Sequence, residues 1–112
     1  MEHLTKTKIY NFLISHKIKK NDTVFVHGNA AVIKQMYGIN NKQKINFFWN
    51  SFFNYFAKNG TVIVPTFTYS LSKNKIFNPK KTISSIGLFS ETFRKLKFTK
   101  RTNHPIFSVS YF

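Results

Sequence analysis

The pattern that most restricts this chain is an alternation between helical stripes and short β-branched runs. Ile9, Phe12, Leu13 and His16 follow i, i+3, i+4, i+7 spacing behind Thr5, a good N-cap, and predict a helix over 5–17. After the polar turn Lys19-Lys20-Asn21-Asp22, residues Thr23 to His27 read as a strand built on Val24, Phe25 and Val26. The pattern then repeats. Ile45, Phe48, Trp49, Phe52, Phe53 and Phe56 form a wide apolar stripe that predicts a helix over 42–58. Asn59-Gly60 is a helix stop, and Thr61 to Val64 is a second apolar strand ended by Pro65. Unbroken apolar strands suit a sheet covered on both faces, so the order predicts an α/β domain with a mostly parallel sheet.

The remainder is less regular. Gly28 to Asn41 opens as a Gly-Asn loop, with a short helical turn over 30–37. Thr66 to Ile83 is rich in Thr, Ser, Asn, Lys and Pro, and loops of that length are usually functional or disordered. Ser84 or Ser85 caps a third helix reaching about Leu96, with Ile86, Phe89, Phe93 and Leu96 on its apolar side. Ile106 to Tyr111 alternates as a strand. A strand so near Phe112 leaves a sheet edge and apolar faces uncovered, which predicts a partial chain or a strand that pairs with a partner.

Composition narrows the function. With 112 residues there is room for one domain, and 18% aromatic residues exclude a disordered tail. No apolar run approaches the roughly 20 residues of a membrane helix, and the polar start shows no signal peptide. The lack of cysteine excludes a disulfide framework and a thiol nucleophile and fits a reducing cytoplasm. The net charge of +15 attracts polyanions, so a non-enzymatic nucleic-acid-binding module is the alternative to an enzyme. Such a module needs exposed aromatics for stacking, whereas Phe48 to Phe56 sit on a core stripe, so nucleic acid is not the expected partner.

Phosphate-loop, dinucleotide-binding and HExxH motifs are missing, and the four His lie far apart, so no metal site is expected. Three segments lie where α/β proteins place ligands, beside strand ends. In His27-Gly28-Asn29-Ala30, Gly28 lets the backbone approach a ligand; the segment also reads as an ordinary turn. Thr66, Thr68 and Tyr69 can grip a polar ligand or satisfy loop backbone groups. Arg101 can hold a phosphate, and His104 can donate a hydrogen bond, act in acid–base chemistry, or be a restricted residue before Pro105. Glu91 can pair with Arg94 or Lys95 on its own helix, or orient a His or bind an amine.

Taken in order, these segments resemble the aminoglycoside N(3)-acetyltransferase family. The carriers are Asp22-Thr23-Val24-Phe25-Val26-His27; Gly60-Thr61-Val62-Ile63-Val64-Pro65-Thr66-Phe67-Thr68-Tyr69; Phe77-Asn78-Pro79; Ser84, Gly87, Glu91, Phe93 and Arg94; and the run from Arg101 to Val109. The resemblance implies the N-terminal part of a three-layer α/β/α fold, distinct from the common GNAT fold. It implies one partial domain over 1–112, with the C-terminal half and its general base missing. The implied reaction moves an acetyl group from acetyl-CoA to the 3-amino group of an aminoglycoside or related amino sugar. The implied cofactor-side residues are His27, Gly28, Asn29, Ala30, Thr66, Thr68, Arg101, His104 and Ser108. Tyr69 and Glu91 are implied for the acceptor, with Glu91 and His104 as the weak catalytic candidates. Gly28-Asn29 stand where the family has Ser-Ser, which removes two hydroxyls from that loop.

Overall fold

The computed structural model describes residues 5–36 and 40–112, without the side chains of Ala30, Val32 and Ile33. The element order is α1 (Lys6–Ser15), β1 (Thr23–Phe25), α2 (Asn41–Phe56), β2 (Thr61–Pro65), α3 (Leu88–Arg94), β3 (Lys100–Arg101) and β4 (Val109–Tyr111). A 3-10 turn over Ala30–Gln35 precedes α2, and another, Leu71–Lys73, lies in the long loop after β2. The expected turn over 30–37 is met as far as Gln35; Tyr37 lies outside the described residues.

Caps account for the helix limits. Thr5 accepts from the Lys8 amide and Asn40 from the Gln43 amide, each satisfying an otherwise orphaned donor. At the end of α1 the Ile18 amide reaches the Leu13 carbonyl and the Lys17 amide reaches the Ile14 carbonyl, both at 2.9 Å. This double closure is a Schellman motif, and it holds Lys17 left-handed at φ 60°. For α3 the cap differs from expectation. Gly87 stands at the N-cap with φ 112°, while Ser84 lies upstream, its hydroxyl 2.9 Å from that of Ser90.

The helices bury Ile9, Leu13, Ile45, Trp49, Phe52, Phe56, Phe89 and Phe93 against Val62 and Val64 of β2. Trp49 is fully buried, and its indole N–H donates to the Phe89 carbonyl at 2.9 Å, which fixes α3 on α2. Phe12, expected on the buried stripe of α1, is 58% exposed.

The sheet runs β1-β2-β4-β3. β1 and β2 are parallel, with Phe25 opposite Ile63. β4 is antiparallel to both β2 and β3. A mostly parallel sheet was expected, so this mixed order is a correction. For the β3–β4 pair the reason is that its loop is too short for the dozen or more residues of a parallel crossover. A second correction concerns the edge. β4 is an interior strand, and the edges are β1 and β3. Nor is β1 covered on both faces: Val24 packs toward the helices, whereas Phe25 is 55% exposed and its neighbour Ile63 only half-buried.

Candidate functional site

The carboxyl ends of the parallel strands β1 and β2 open on a cleft of about 560 Å³. Its walls come from the loop after β1 (His27, Gly28, Asn29), from the end of β2 (Pro65, Phe67) and from the start of α3 (Phe89, Ser90). Open α/β sheets bind ligands at such strand ends. His27, Gly28 and Asn29 are all exposed. Asn29 Oδ1 accepts from the Ala31 amide at 2.6 Å, which shapes the loop. Gly28 has no fold-based need to be glycine: its φ is not positive, and a Cβ there would meet open space. The walls from α3 escaped the sequence reading, although Phe89 was legible as part of an apolar stripe.

The structure gives other expected site residues different surroundings. Thr66, Thr68 and Ser108 are buried. The Thr66 hydroxyl donates to the Ser108 carbonyl at 3.2 Å, and the Ser108 hydroxyl donates to the Thr66 carbonyl at 2.8 Å. Thr68 donates to the Pro105 carbonyl at 2.5 Å. These hydroxyls join the loop after β2 to the segment before β4, and Thr68 also lines the cleft beside Tyr69.

Arg101 is similarly occupied. Its Nε donates to the Ser108 hydroxyl at 3.1 Å and its Nη2 to the Thr66 carbonyl at 2.8 Å. Nη1 serves the Thr82 carbonyl and, at 3.4 Å, that of Pro79. The guanidinium carbon lies 5.0 Å from the centre of the Phe77 ring. Burial, then the positive charge of Arg94, press its pKa down to about 10, so it stays cationic at neutral pH. Four of its five N–H groups are thereby spent, which makes it a clasp between the long loop and the β3–β4 hairpin.

Glu91 is buried, and the structure realises the pairing read from its helix. Its carboxylate takes Arg94 through two nitrogens and the Ser84 amide at 2.8 Å, with Lys95 Nζ at 3.9 Å. Burial alone would raise its pKa. The Arg94 hydrogen bond, the Ser84 amide and the charges of Arg94 and Lys95 outweigh it and hold the carboxyl below its ordinary value. His104 is exposed, and its Nδ1 accepts from the amides of Ile106 (3.2 Å) and Phe107 (2.8 Å), which leaves Nε2 as the N–H. Tyr69 is 55% exposed and lines a separate cleft of about 510 Å³. The structure therefore brings together His27, Gly28 and Asn29, and sets Tyr69, Glu91 and Arg101 apart from them. Among the described residues no three His, Asp or Glu side chains converge as a metal site, and no helix is long and apolar enough to cross a membrane.

A mixed sheet with helices and a cleft at its parallel strand ends defines an α/β domain. Residues 25–112 match the family model for aminoglycoside 3-N-acetyltransferases, and the chain belongs to that family. Among solved structures it is similar to the YokD protein from Bacillus subtilis, with TM-score 0.81 and 21% identity, covering 97% of this chain and 50% of that one. It is similar to a mutant of aminoglycoside acetyltransferase AAC(3)-IVa in complex with apramycin, with TM-score 0.79 and 16% identity over 99% and 43% of the two chains. A CoASH binary complex of AAC-IIIb gives TM-score 0.78 at 14% identity over 98% and 46%. At these identities the likeness shows the fold. The chain spans about half the length of these structures or less. No curated protein matches it.

Proposed function

We propose that this chain is the cofactor-side part, one partial domain over 1–112, of an acetyl-CoA-dependent N-acetyltransferase that acts on an amino sugar. The observation that carries this reading is the cleft shared by the loop after β1 and the end of β2, in a chain of this family. A basic chain suits the phosphates of CoA. In the reaction the neutral amine nitrogen attacks the thioester carbonyl. The C–S bond breaks, the amine proton passes to a base, and CoA leaves as the thiol.

In this reading His27, Gly28, Asn29 and the Ala30 backbone meet the pantetheine arm. Thr66, Thr68, Ser108 and Arg101 hold the loops that frame it, and Tyr69 stands on the acceptor side. Glu91 acts by anchoring α3 and His104 by shaping the turn before β4, and neither is the general base. The base is expected on the part of the family fold that this chain does not span, and the enzyme is expected to work in the cytoplasm. The test is titration of the chain with CoA by calorimetry, beside an acetyl-transfer assay. Saturable CoA binding that weakens when Asn29→Ala is introduced, with negligible turnover, is the expected result. No CoA binding by the folded chain defeats the proposal.

A further inference from the structure

The Tyr69 cleft has an electrostatic character that its family membership does not dictate. It lies between the 3-10 turn Leu71–Lys73 and the segment 81–85, and its charged lining is Lys73, Lys75 and Lys81. All three lysines are exposed, and none has a carboxylate partner among the described residues. The described side-chain carboxylates are both committed elsewhere. Asp22 Oδ2 accepts the Lys19 amide at 2.8 Å, and Glu91 is held by Arg94 and Ser84. Neither lines this cleft. The hydroxyls of Thr68 and Ser70 there are bound to each other at 3.0 Å, and Ser84 is bound to Ser90.

A polyamine entering this cleft meets three ammonium groups and, among the described residues, no acid. Discrimination needs only such a repulsive element, and like charges within a Debye length of about 8 Å repel at physiological salt. An anionic group entering the same space gains three cations, with the exposed Tyr69 ring beside them for the sugar. We propose that the cleft takes an amino sugar bearing a phosphate or other anionic group, and that its lysines disfavour polycationic aminoglycosides. This rests on the reading of Tyr69 as an acceptor-side residue.

The test titrates the chain with four probes: glucosamine 6-phosphate, glucosamine, sisomicin and inorganic phosphate, with CoA in parallel. Glucosamine 6-phosphate is expected to bind at least about tenfold more tightly than glucosamine or sisomicin, which is about 1.4 kcal/mol. The preference is expected to collapse in the Lys73→Ala/Lys75→Ala/Lys81→Ala variant, whose fold is checked by its melting curve. Lys81→Glu is expected to move the preference toward sisomicin. Sisomicin binding as tightly as the phosphosugar overturns the inference. So do an unchanged triple variant, inorganic phosphate equalling the phosphosugar, or no binding by any amine. If CoA binds in those cases, the acetyltransferase reading stands without this inference; if CoA fails too, both fall.

Discussion

Arg101 Nη2 donates to the Thr66 carbonyl at 2.8 Å across 35 positions of sequence, and Nε of the same guanidinium holds Ser108. One side chain therefore ties the end of β2 to β3 and to the approach of β4. Removing it in Arg101→Ala takes the donor from the Thr82 carbonyl and one of the two side-chain donors from the buried Thr66 carbonyl, and charged hydrogen bonds contribute about 1.5–3 kcal/mol each. The expected outcome is a loss of about 2 kcal/mol or more in urea unfolding. Arg101→Lys recovers little of it, because an ammonium cannot span the fork.

Glu91 sets a pH dependence. Its folded pKa lies below the ordinary 4.5, so the folded chain binds fewer protons there than the unfolded chain. Its contribution is present above 4.5 and is lost as pH falls through the lower folded value. The melting temperature is expected to drop as pH falls from 4.5 through that lower value. In Glu91→Gln the neutral-pH stability is lower and the acid slope shallower, as read by circular dichroism.

Two glycines give opposite expectations. A Cβ at Gly60 would lie 2.5 Å from the Lys20 carbonyl oxygen and 2.8 Å from Phe56 Cδ1, so Gly60→Ala must move backbone. The expected cost is about 1–3 kcal/mol. Gly28→Ala meets open space, so its stability is expected to stay within about 0.5 kcal/mol of the parent. Any loss of CoA affinity in that variant then reports on the ligand rather than on the fold.

Lys17 offers a stabilising change. It occupies the left-handed position that closes α1, where a side chain costs roughly 1 kcal/mol relative to glycine. Lys17→Gly is expected to raise stability by up to about 1 kcal/mol in the same urea measurement. A decrease would show that the Lys17 side chain is held in a way the helix closure does not explain.

The helices were legible because their signals are local. The stripe from Ile45 to Phe56 predicted 42–58, and α2 spans 41–56. β3 was not legible, since Lys100 and Arg101 have no strand pattern and pair through backbone with Tyr111 and Ser110. The apolar run Val24-Phe25-Val26 could not say that Phe25 faces an uncovered side, because burial depends on what packs from elsewhere. For the site, Gly28 and Asn29 were found as a loop beside a strand end. The surroundings of Arg101 and Thr66 were missed because all of their partners but the Ser108 hydroxyl of Arg101 lie 19 to 44 positions away, and sequence names a donor without naming its acceptor.

The place of β4 between β2 and β3 also has a consequence for synthesis. Thr66 waits for Ser110, its partner 44 residues downstream, and Val62 waits for the Phe112 amide. A ribosome delivers the chain in order, so α1, β1, α2 and β2 are made before the strand that fills the middle of the sheet. Through that interval the flank of β2 that β4 will fill has unpaired backbone groups. The wait for β4 therefore makes the flank of β2 the part of this sheet most open to wrong pairing during synthesis.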